Sequence, residues 1–227
     1  MATVSVNANT SAERLQSDRN GGFGHLRVVD FAIGVPLCIV AIPVVFVLAV
    51  ILAVIHRGNP FFVHERIGWR GRRLMIPKLR TLPPSHDPYA DKTAVAIVPC
   101  SRLAAFLRST HLDELPQLFL VPVGRMSLVG PRPRMVAEAA VCSDEEYGEL
   151  RTSVLPGCTG LWQISEARGR VSDHPEYDRL YLERRTVRLD VWIMWRTAVQ
   201  FLGARPIGLD EVPGWSMRDP ASLDAAA

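Results

Sequence analysis

The sequence has few cysteines, and none of them belongs to a recognisable motif. Only four of the 227 residues are cysteine. No two form a C-x-x-C pair, and no histidine cluster accompanies them at zinc spacing. This argues against a secreted protein held together by disulfides and favours a protein that faces the cytoplasm. We interpret the four as reduced and structural: Cys38, Cys100, Cys142 and Cys158.

Strong charge and internal repeats are also absent. The formal net charge is only +3, which gives no reason to expect a nucleic-acid partner. Hydrophobic residues make up 48% of the chain and charged residues 22%, enough for one substantial domain with a core. Residues 1–24 are rich in Asn, Ser, Thr and Gly, so we predict a disordered arm there. Residues 204–227 are predicted to be an irregular tail.

A long apolar run extends from Val28 to Ile55 and carries one charge, Asp30. Its length is sufficient to cross a bilayer. It starts too far into the chain and runs too long for a secretory signal, and no cleavage-like site follows. One interpretation is therefore a single spanning helix.

Two prolines inside this run favour a different geometry. Pro36 and Pro43 each remove a helical hydrogen bond, and each half around Pro43 is shorter than the roughly 20 residues that a span needs. Basic residues flank both ends of the run, so the charge rule gives no orientation. A re-entrant helix-break-helix over residues 25–57 explains both features. We predict that Pro43 marks the break and that both ends stay cytoplasmic.

A basic segment follows the apolar run. Phe61 to Leu82 reads as a hairpin with its turn at Gly68 to Gly71. One interpretation is a juxtamembrane patch for anionic lipid headgroups, and another is a phosphate-binding surface. Both can hold at once. The basic residues of this segment are Arg66, Arg70, Arg72, Arg73, Lys78 and Arg80.

The rest of the chain predicts helices over residues 101–108, 136–151 and 175–202. In the last of these, Trp192, Trp195 and Val199 lie on one side. Tryptophans at this spacing fit either a core or an interfacial amphipathic helix beside the membrane. The fold class predicted for residues 58–203 is α+β, mostly helical, with one small hairpin.

Adjacent acids open the segment "HLDELPQLFLVPVGRMSLVGPRP". Pro116 suits the first turn of a helix, which places Asp113 near a helix N-terminus. The helix dipole there would keep Asp113 ionised, as a nucleophile requires, and Glu114 could help to hold Mg²⁺. Arg132, between two prolines, offers a guanidinium suited to phosphate. These pieces suggest attack on a phosphate at a membrane surface.

Four motifs follow one another along the chain: "RIGWRGRRLMIPKLRTL", "LDELPQL", "GRMSLVGPRP" and "PGCTGLWQ". In this order they resemble the motifs of the bacterial sugar transferases, the monotopic phosphoglycosyl transferases, in their minimal catalytic form. The resemblance runs from about Arg27 to Leu202. The apolar run with Asp30 and Pro43 is similar to the family's re-entrant membrane helix.

The resemblance implies an enzyme that passes a sugar 1-phosphate from a nucleotide-sugar, usually a UDP-sugar, to a polyprenyl phosphate such as undecaprenyl phosphate. It makes Asp113 the nucleophile of a covalent phosphosugar intermediate and implies that Glu114 acts with Mg²⁺, the metal ligands being these two acids. Lys78 and Asp190 match positions that the family needs at its active site. The residues that it assigns to substrate phosphate are Arg80, Pro131, Arg132 and Pro133.

This chain also departs from the family pattern. Glu166-Ala167-Arg168 stands where Gly-Arg-Asn is common, which affects the nucleotide or sugar contacts most. Leu120 replaces an Asn, Ile42 a Ser and Leu79 a Phe.

Three interpretations follow for the whole protein. The first is an enzyme at the cytoplasmic face of the bacterial inner membrane that starts a surface polysaccharide or glycoconjugate. Its partners are a nucleotide-sugar, a polyprenyl phosphate and membrane lipid. Whether it forms a homodimer is left open at this point. The second is a catalytically degenerate family member that acts as a membrane assembly partner. The third, a single-span anchor with a basic domain, leaves the ordered motifs unexplained.

Overall fold

Helices dominate the described part of the chain. The computed structural model describes residues 23–82, 101–141, 144–167 and 173–214. Its α-helices are α1 Phe23–His56, α2 Arg102–Ser109, α3 Val136–Val141, α4 Glu145–Thr152, α5 Leu161–Ile164, α6 Pro175–Arg184 and α7 Val187–Phe201. The 3₁₀ helices are Trp69–Gly71, Leu112–Leu120 and Leu209–Glu211. The strands are β1 Phe61–Ile67, β2 Arg73–Leu79, β3 Ser127–Val129 and β4 Gly157–Thr159.

The coarse α+β prediction is confirmed by this element order. Most of the predicted arm, Cys100, Cys142, Arg168 and the end of the predicted tail lie outside the described residues.

The apolar run forms α1, a helix of 34 residues that is long and apolar enough to cross a membrane. Its helical conformation continues through Pro36 and Pro43, and both prolines lie on its exposed side. Residues three or four apart lie on one face of a helix, and the buried positions of α1 follow that spacing. These positions are Asp30, Gly34, Cys38, Ala41, Val45, Ala49 and Leu52.

Hydrogen bonds join α1 to the rest of the chain along its length. Near its start, Asp30 Oδ1 accepts from the Ser127 hydroxyl at 2.9 Å and the Leu128 N–H at 2.8 Å. In its middle, the Cys38 thiol donates to the Leu118 carbonyl at 3.2 Å. At its end, His56 Nε2 lies 2.9 Å from the Arg80 carbonyl. The contact face therefore extends from residue 30 to residue 56, about 40 Å along the helix axis.

The predicted hairpin is present as the antiparallel pair β1–β2, with Phe62 opposite Lys78 and His64 opposite Ile76. Because side chains alternate along a strand, these four residues share one face, which packs towards the 3₁₀ helix Leu112–Leu120. Arg73 lies on the other face, where it pairs with Glu65 at 3.1 Å. The basic residues of the hairpin are therefore divided between two faces.

A second sheet was not predicted from the sequence. Strands β3 and β4 pair in parallel, with Ser127 opposite Gly157 and Val129 opposite Thr159. Glycine is required at Gly157, because a Cβ atom there would lie only 2.1 Å from the backbone nitrogen of Gly130. This close approach places the segment after β3 directly beside the loop before α5.

Two of the predicted long helices are each divided. The helix predicted over 136–151 is described as α3 and α4, with Asp144 capping α4 through its bond to the Tyr147 N–H. The helix predicted over 175–202 divides at Arg185 and Thr186. Thr186 is extended and its side chain accepts from the Leu189 N–H, so it starts a new helix.

The described part of the predicted tail packs against the core. Residues 204–214 contain one short 3₁₀ helix, but Ile207 is 2% exposed and Val212 is 4% exposed. Ile207 also exchanges backbone hydrogen bonds with the segment after α5, since it donates to Ile164 and accepts from Glu166. The folded core therefore continues beyond residue 203.

Candidate active site

The two adjacent acids lie in the first turn of the 3₁₀ helix Leu112–Leu120. His111, just before it, adopts a left-handed conformation with φ of 54° and so turns the chain away from α2. Leu112, Leu115 and Phe119 pack into a cluster with α1. This packing determines which side of the 3₁₀ helix faces α1. The predicted helix is therefore present, with 3₁₀ geometry and with Asp113 near its N-terminus.

Glu114 joins three separate elements of the fold. Its Oε1 atom lies 2.6 Å from Lys78 Nζ on β2 and 3.4 Å from an Arg132 guanidinium nitrogen. Burial raises the pKa of Glu114, but the charges of Arg132 and Lys78 outweigh it and hold that pKa well below its usual range. Glu114 is therefore ionised, and it holds two cations that the chain brings from positions 36 residues before it and 18 residues after it.

Asp113 differs from its neighbour in having no ion pair within the described residues. Burial, and then the charge of Glu114, raise the pKa of Asp113 to about 6, against the lowering effect of Lys78 and His111. Desolvation is thus a larger effect than any lowering of the pKa by the helix N-terminus. A carboxylate with this pKa is still mostly ionised at pH 7 and keeps its lone pairs for a reaction.

The segment that carries Arg132 is held by donors at four consecutive carbonyls. Pro131 accepts from the Gly157 N–H at 3.0 Å and Arg134 from the Ile67 N–H at 2.9 Å. Pro133 accepts from the Arg66 side chain at 3.4 Å, and Arg132 accepts from the Arg151 side chain. Pro131 and Pro133, which were predicted to bind phosphate, are buried. They restrict the backbone on either side of Arg132.

His64 belongs to this site and was missed by sequence reasoning. It is 7% exposed on the same face of the hairpin as Lys78. Burial and the charges of Arg66, Lys78 and Arg132 lower the pKa of His64 to about 4, so the ring is neutral at pH 7. The always-charged Arg66 donates to its Nδ1 atom at 3.2 Å. The period of two that relates His64 to Lys78 across the hairpin is the signal that could have found it.

Two predicted site residues lie away from this group. Arg80 Nη2 donates to the Phe61 carbonyl at 3.3 Å, and the backbone carbonyl of Arg80 contacts His56 at the end of α1. Asp190 is 5% exposed in the core, where it accepts a hydrogen bond from the Tyr181 hydroxyl at 2.9 Å. Burial raises the pKa of Asp190 to about 7. A direct catalytic role for Asp190 stays a prediction.

The donor set fits Mg²⁺ only in part. Among the described residues no group of three acids, histidines or cysteines is placed to hold a metal ion. Asp113 and Glu114 supply two carboxylates, and Mg²⁺ commonly uses one or two together with water and substrate phosphates. Because Lys78 and Arg132 already contact Glu114, Asp113 is the more available ligand.

Known proteins resemble this chain over most of its length. It is 33% identical over 186 residues to a UDP-glucose:undecaprenyl-phosphate glucose-1-phosphate transferase of Klebsiella pneumoniae. The matched residues cover 75% of this chain and 38% of that protein. It is 32% identical over 192 residues to the undecaprenyl-phosphate galactose phosphotransferase of Salmonella typhimurium, 76% of this chain and 39% of that protein. With the exopolysaccharide production protein ExoY of Rhizobium meliloti it shares 32% identity over 158 residues, 62% of this chain and 69% of that protein.

These matches differ in how much of each relative they cover. The chain spans about two fifths of the length of the first curated relatives that it matches. Residues 24–204 match the family described as Bacterial sugar transferase, a range that includes α1, the hairpin, both acids and the Pro-Arg-Pro segment. The chain therefore belongs to the bacterial sugar transferase family.

Proposed function

We propose that this protein transfers a sugar 1-phosphate from a nucleotide-sugar, a UDP-sugar, to a polyprenyl phosphate. The observation that carries the proposal is the difference between two neighbouring acids. Glu114 is neutralised by Lys78 and Arg132, whereas Asp113 beside it has no ion pair with any residue that the structure describes and has a pKa of about 6. Such an arrangement supplies one carboxylate for attack, and Glu114 holds two cations beside it whose remaining N–H groups suit phosphate oxygens. Relatives named as undecaprenyl-phosphate sugar transferases support the same substrates.

In the first step, an Asp113 oxygen attacks the phosphorus that carries the sugar. An acyl-phosphate bond forms, the diphosphate P–O bond breaks, and the nucleoside monophosphate leaves with the electron pair. The Arg132 and Lys78 cations lie where they can neutralise the charge on the leaving phosphate. Magnesium, held by Asp113 and Glu114 with the substrate phosphates, would supply further neutralisation of phosphate charge.

In the second step, a phosphate oxygen of the polyprenyl phosphate attacks the same phosphorus. A diphosphate bond forms, the acyl-phosphate bond breaks, and Asp113 regains its carboxylate. The acceptor is a lipid, so this site must reach the bilayer. Phe201, at the end of α7, is 59% exposed and its ring lies 6.3 Å from that of His111, two residues before Asp113. The exposed Phe201 ring therefore lies near the start of the helix that carries the nucleophile.

The hydrogen bonds near the two ends of α1 support a re-entrant helix, with both ends on the cytoplasmic side. Asp30 and His56 lie near opposite ends of the helix, and each contacts the domain that carries the active site. A helix that crossed the bilayer upright would carry one of these ends through about 30 Å of hydrocarbon, away from that domain. Pro43 lies between them on the exposed side of the helix, at a position where proline favours a bend. We place the catalytic domain at the cytoplasmic face of the bacterial inner membrane.

The direct test uses detergent-purified protein, undecaprenyl phosphate and a panel of nucleotide-sugars. Release of nucleoside monophosphate identifies the donor. Mass spectrometry of the intact protein without lipid acceptor should show one added phosphosugar, which peptide mapping places on Asp113. Asp113→Asn should show neither adduct nor turnover. An adduct on another residue would contradict the assignment, and release that requires both substrates together would replace the two-step route by direct transfer.

A further inference from the structure

A buried ion pair lies behind the Arg132 segment, and sequence reasoning gave it no role. Arg151 in α4 and Asp178 in α6 are 5% and 2% exposed, and Arg151 Nε lies 3.0 Å from Asp178 Oδ2. The Tyr147 hydroxyl donates to the same Asp178 oxygen at 2.7 Å. Asp178 therefore accepts two hydrogen bonds, and both orient it towards Arg151.

The other end of the Arg151 guanidinium reaches the active site. Its Nη2 group donates to the backbone carbonyl of Arg132. A guanidinium is planar, so a group that binds Asp178 through Nε and a carbonyl through Nη2 holds the two at a fixed separation. The Tyr147 ring lies against the Arg151 guanidinium at 5.3 Å, which further restricts its movement.

The hydrogen bond from Arg151 anchors the backbone of Arg132. The Arg132 guanidinium contacts Glu114 at 3.4 Å and lies 5.8 Å from the centre of the Trp162 ring. If the backbone at Arg132 shifts because this anchor is lost, the guanidinium moves off Glu114. Removing two charges from water costs free energy, and hydrophobic residues in place of a buried ion pair often stabilise a protein equally well. Stability alone therefore does not account for the Arg151–Asp178 pair.

We propose that Arg151 is a positioning residue of the transferase, which fixes Arg132 over Glu114 through the Arg132 carbonyl, with Asp178 and Tyr147 as its support. Arg151 does not touch the substrate. The inference rests on the proposed function for its effect on rate, but its structural part stands on the contacts alone.

The test compares Arg151→Lys with a matched surface change, Arg179→Lys. Lysine keeps the charge but cannot bridge Asp178 and the carbonyl with one planar group. Arg179 also lies against Tyr147, at 5.7 Å, but it pairs with Asp144 at the surface and has no contact with the Arg132 segment. We expect Arg151→Lys to lower kcat/KM by about 10- to 100-fold, as a small misplacement of a binding group does. Arg179→Lys should change it less than about twofold.

Coupling to Arg132 separates positioning from simple support of the fold. In an Arg132→Gln background, Arg151→Lys should change kcat/KM by less than about twofold, because the group that it positions is gone. An equal loss in both backgrounds would overturn the proposal. If Arg151→Lys does not fold, Tyr147→Phe removes only the hydroxyl that orients Asp178, and it should give a smaller loss that also vanishes without Arg132.

A second readout needs no activity. Protein labelled with 5-fluorotryptophan carries five tryptophans, and Trp162→Phe assigns the ¹⁹F resonance of Trp162. Arg151→Lys should shift this resonance in the same direction as Arg132→Gln and should add nothing to it in the double variant. An unchanged Trp162 resonance would refute the positioning role even if the protein is active. Conversely, a shifted resonance in a protein that releases no nucleotide would refute the proposed function and leave the positioning intact.

Discussion

At the scale of single residues, the site depends on unequal treatment of two like neighbours. Asp113 and Glu114 have the same charge and adjacent positions, yet the pKa of one is raised and that of the other is lowered. The difference arises because Lys78 and Arg132 both contact Glu114. Adjacent acids whose pKa values are pushed apart commonly take different chemical roles.

The first prediction concerns the pH dependence of adduct formation. Asp113 attacks only when ionised, and its pKa is raised to about 6. The rate of phosphosugar attachment without lipid acceptor should therefore rise about tenfold for each pH unit well below 6 and level off above about pH 7. Quenched-flow mass spectrometry at fixed ionic strength measures this profile. A rate that is flat from pH 5 to 8 would show that Asp113 has an ordinary pKa or is not the nucleophile.

The second prediction concerns stability. A carboxyl whose folded pKa is raised binds its proton more tightly in the folded state, so ionisation above that pKa destabilises the fold. Asp113→Asn removes this charge and should raise the free energy of unfolding by about 1 kcal/mol at pH 7.5, after discounting for solvent screening. The gain should fade as pH drops towards 4, where wild-type Asp113 is also neutral. Thermal melts in detergent at both pH values test it, and a destabilised Asp113→Asn at pH 7.5 contradicts it.

At the scale of elements, the hairpin separates two functions between its faces. Lys78 lies on the inner face with His64 and contacts Glu114, whereas Arg72 and Arg73 are exposed. The third prediction follows from this division. Lys78→Ala should lose activity even in detergent, because Glu114 then loses its nearest cation. Arg72→Ala with Arg73→Ala should keep activity in detergent but weaken binding to anionic vesicles by about 1 kcal/mol per charge.

Vesicle sedimentation and turnover in detergent, measured on the same preparations, distinguish the two faces. Lys78→Met serves as a control for side-chain volume and should behave as Lys78→Ala does. Equal losses of detergent activity in the Lys78 variants and in the double arginine variant would remove the division of labour.

Elements also mark the limit of what the sequence could predict. The hairpin was predictable because its strands are local and its turn contains glycine. The β3–β4 pair was not, since each strand has three residues and its partner lies 30 positions away, at Ser127 and Gly157. The burial of Arg151 and Asp178 was not predictable, because nothing local in the sequence reveals that a charge is buried. Glu114 and Arg132 were both identified from the sequence, but their contact needed the fold.

At the scale of the whole molecule, α1 determines how the protein sits relative to the bilayer. The fourth prediction is that both ends of α1 face the cytoplasm. In a cysteine-free background, single cysteines at Ser17, before the helix, and at exposed Ser109, after it, should both react with an impermeant maleimide only after the cells are opened. Labelling of Ser17→Cys from outside intact cells, with Ser109→Cys protected, would establish a spanning helix.

Pro43 gives a companion experiment within the same assay. Pro43→Ala restores a helical hydrogen bond and removes the bend that proline favours. We expect a fraction of this variant to adopt the spanning orientation, seen as partial labelling of Ser17→Cys from outside. Pro36→Ala is the matched control, because Pro36 also lies on the exposed side of the same helix, seven residues before Pro43. Identical labelling in both variants would show that Pro43 has no special part in the orientation.

The buried face of α1 has a practical consequence for anyone who wishes to study the enzyme without a membrane. Val45, Ala49 and Leu52 pack against Leu79 and Leu107, and the start of the helix closes over β3. A shortened protein that begins at Gly58 would not be a water-soluble catalytic unit, because it would expose the apolar side of the 3₁₀ helix that carries the two acids. For the same reason, exchanging α1 for an unrelated anchor should fail unless the new segment reproduces that face.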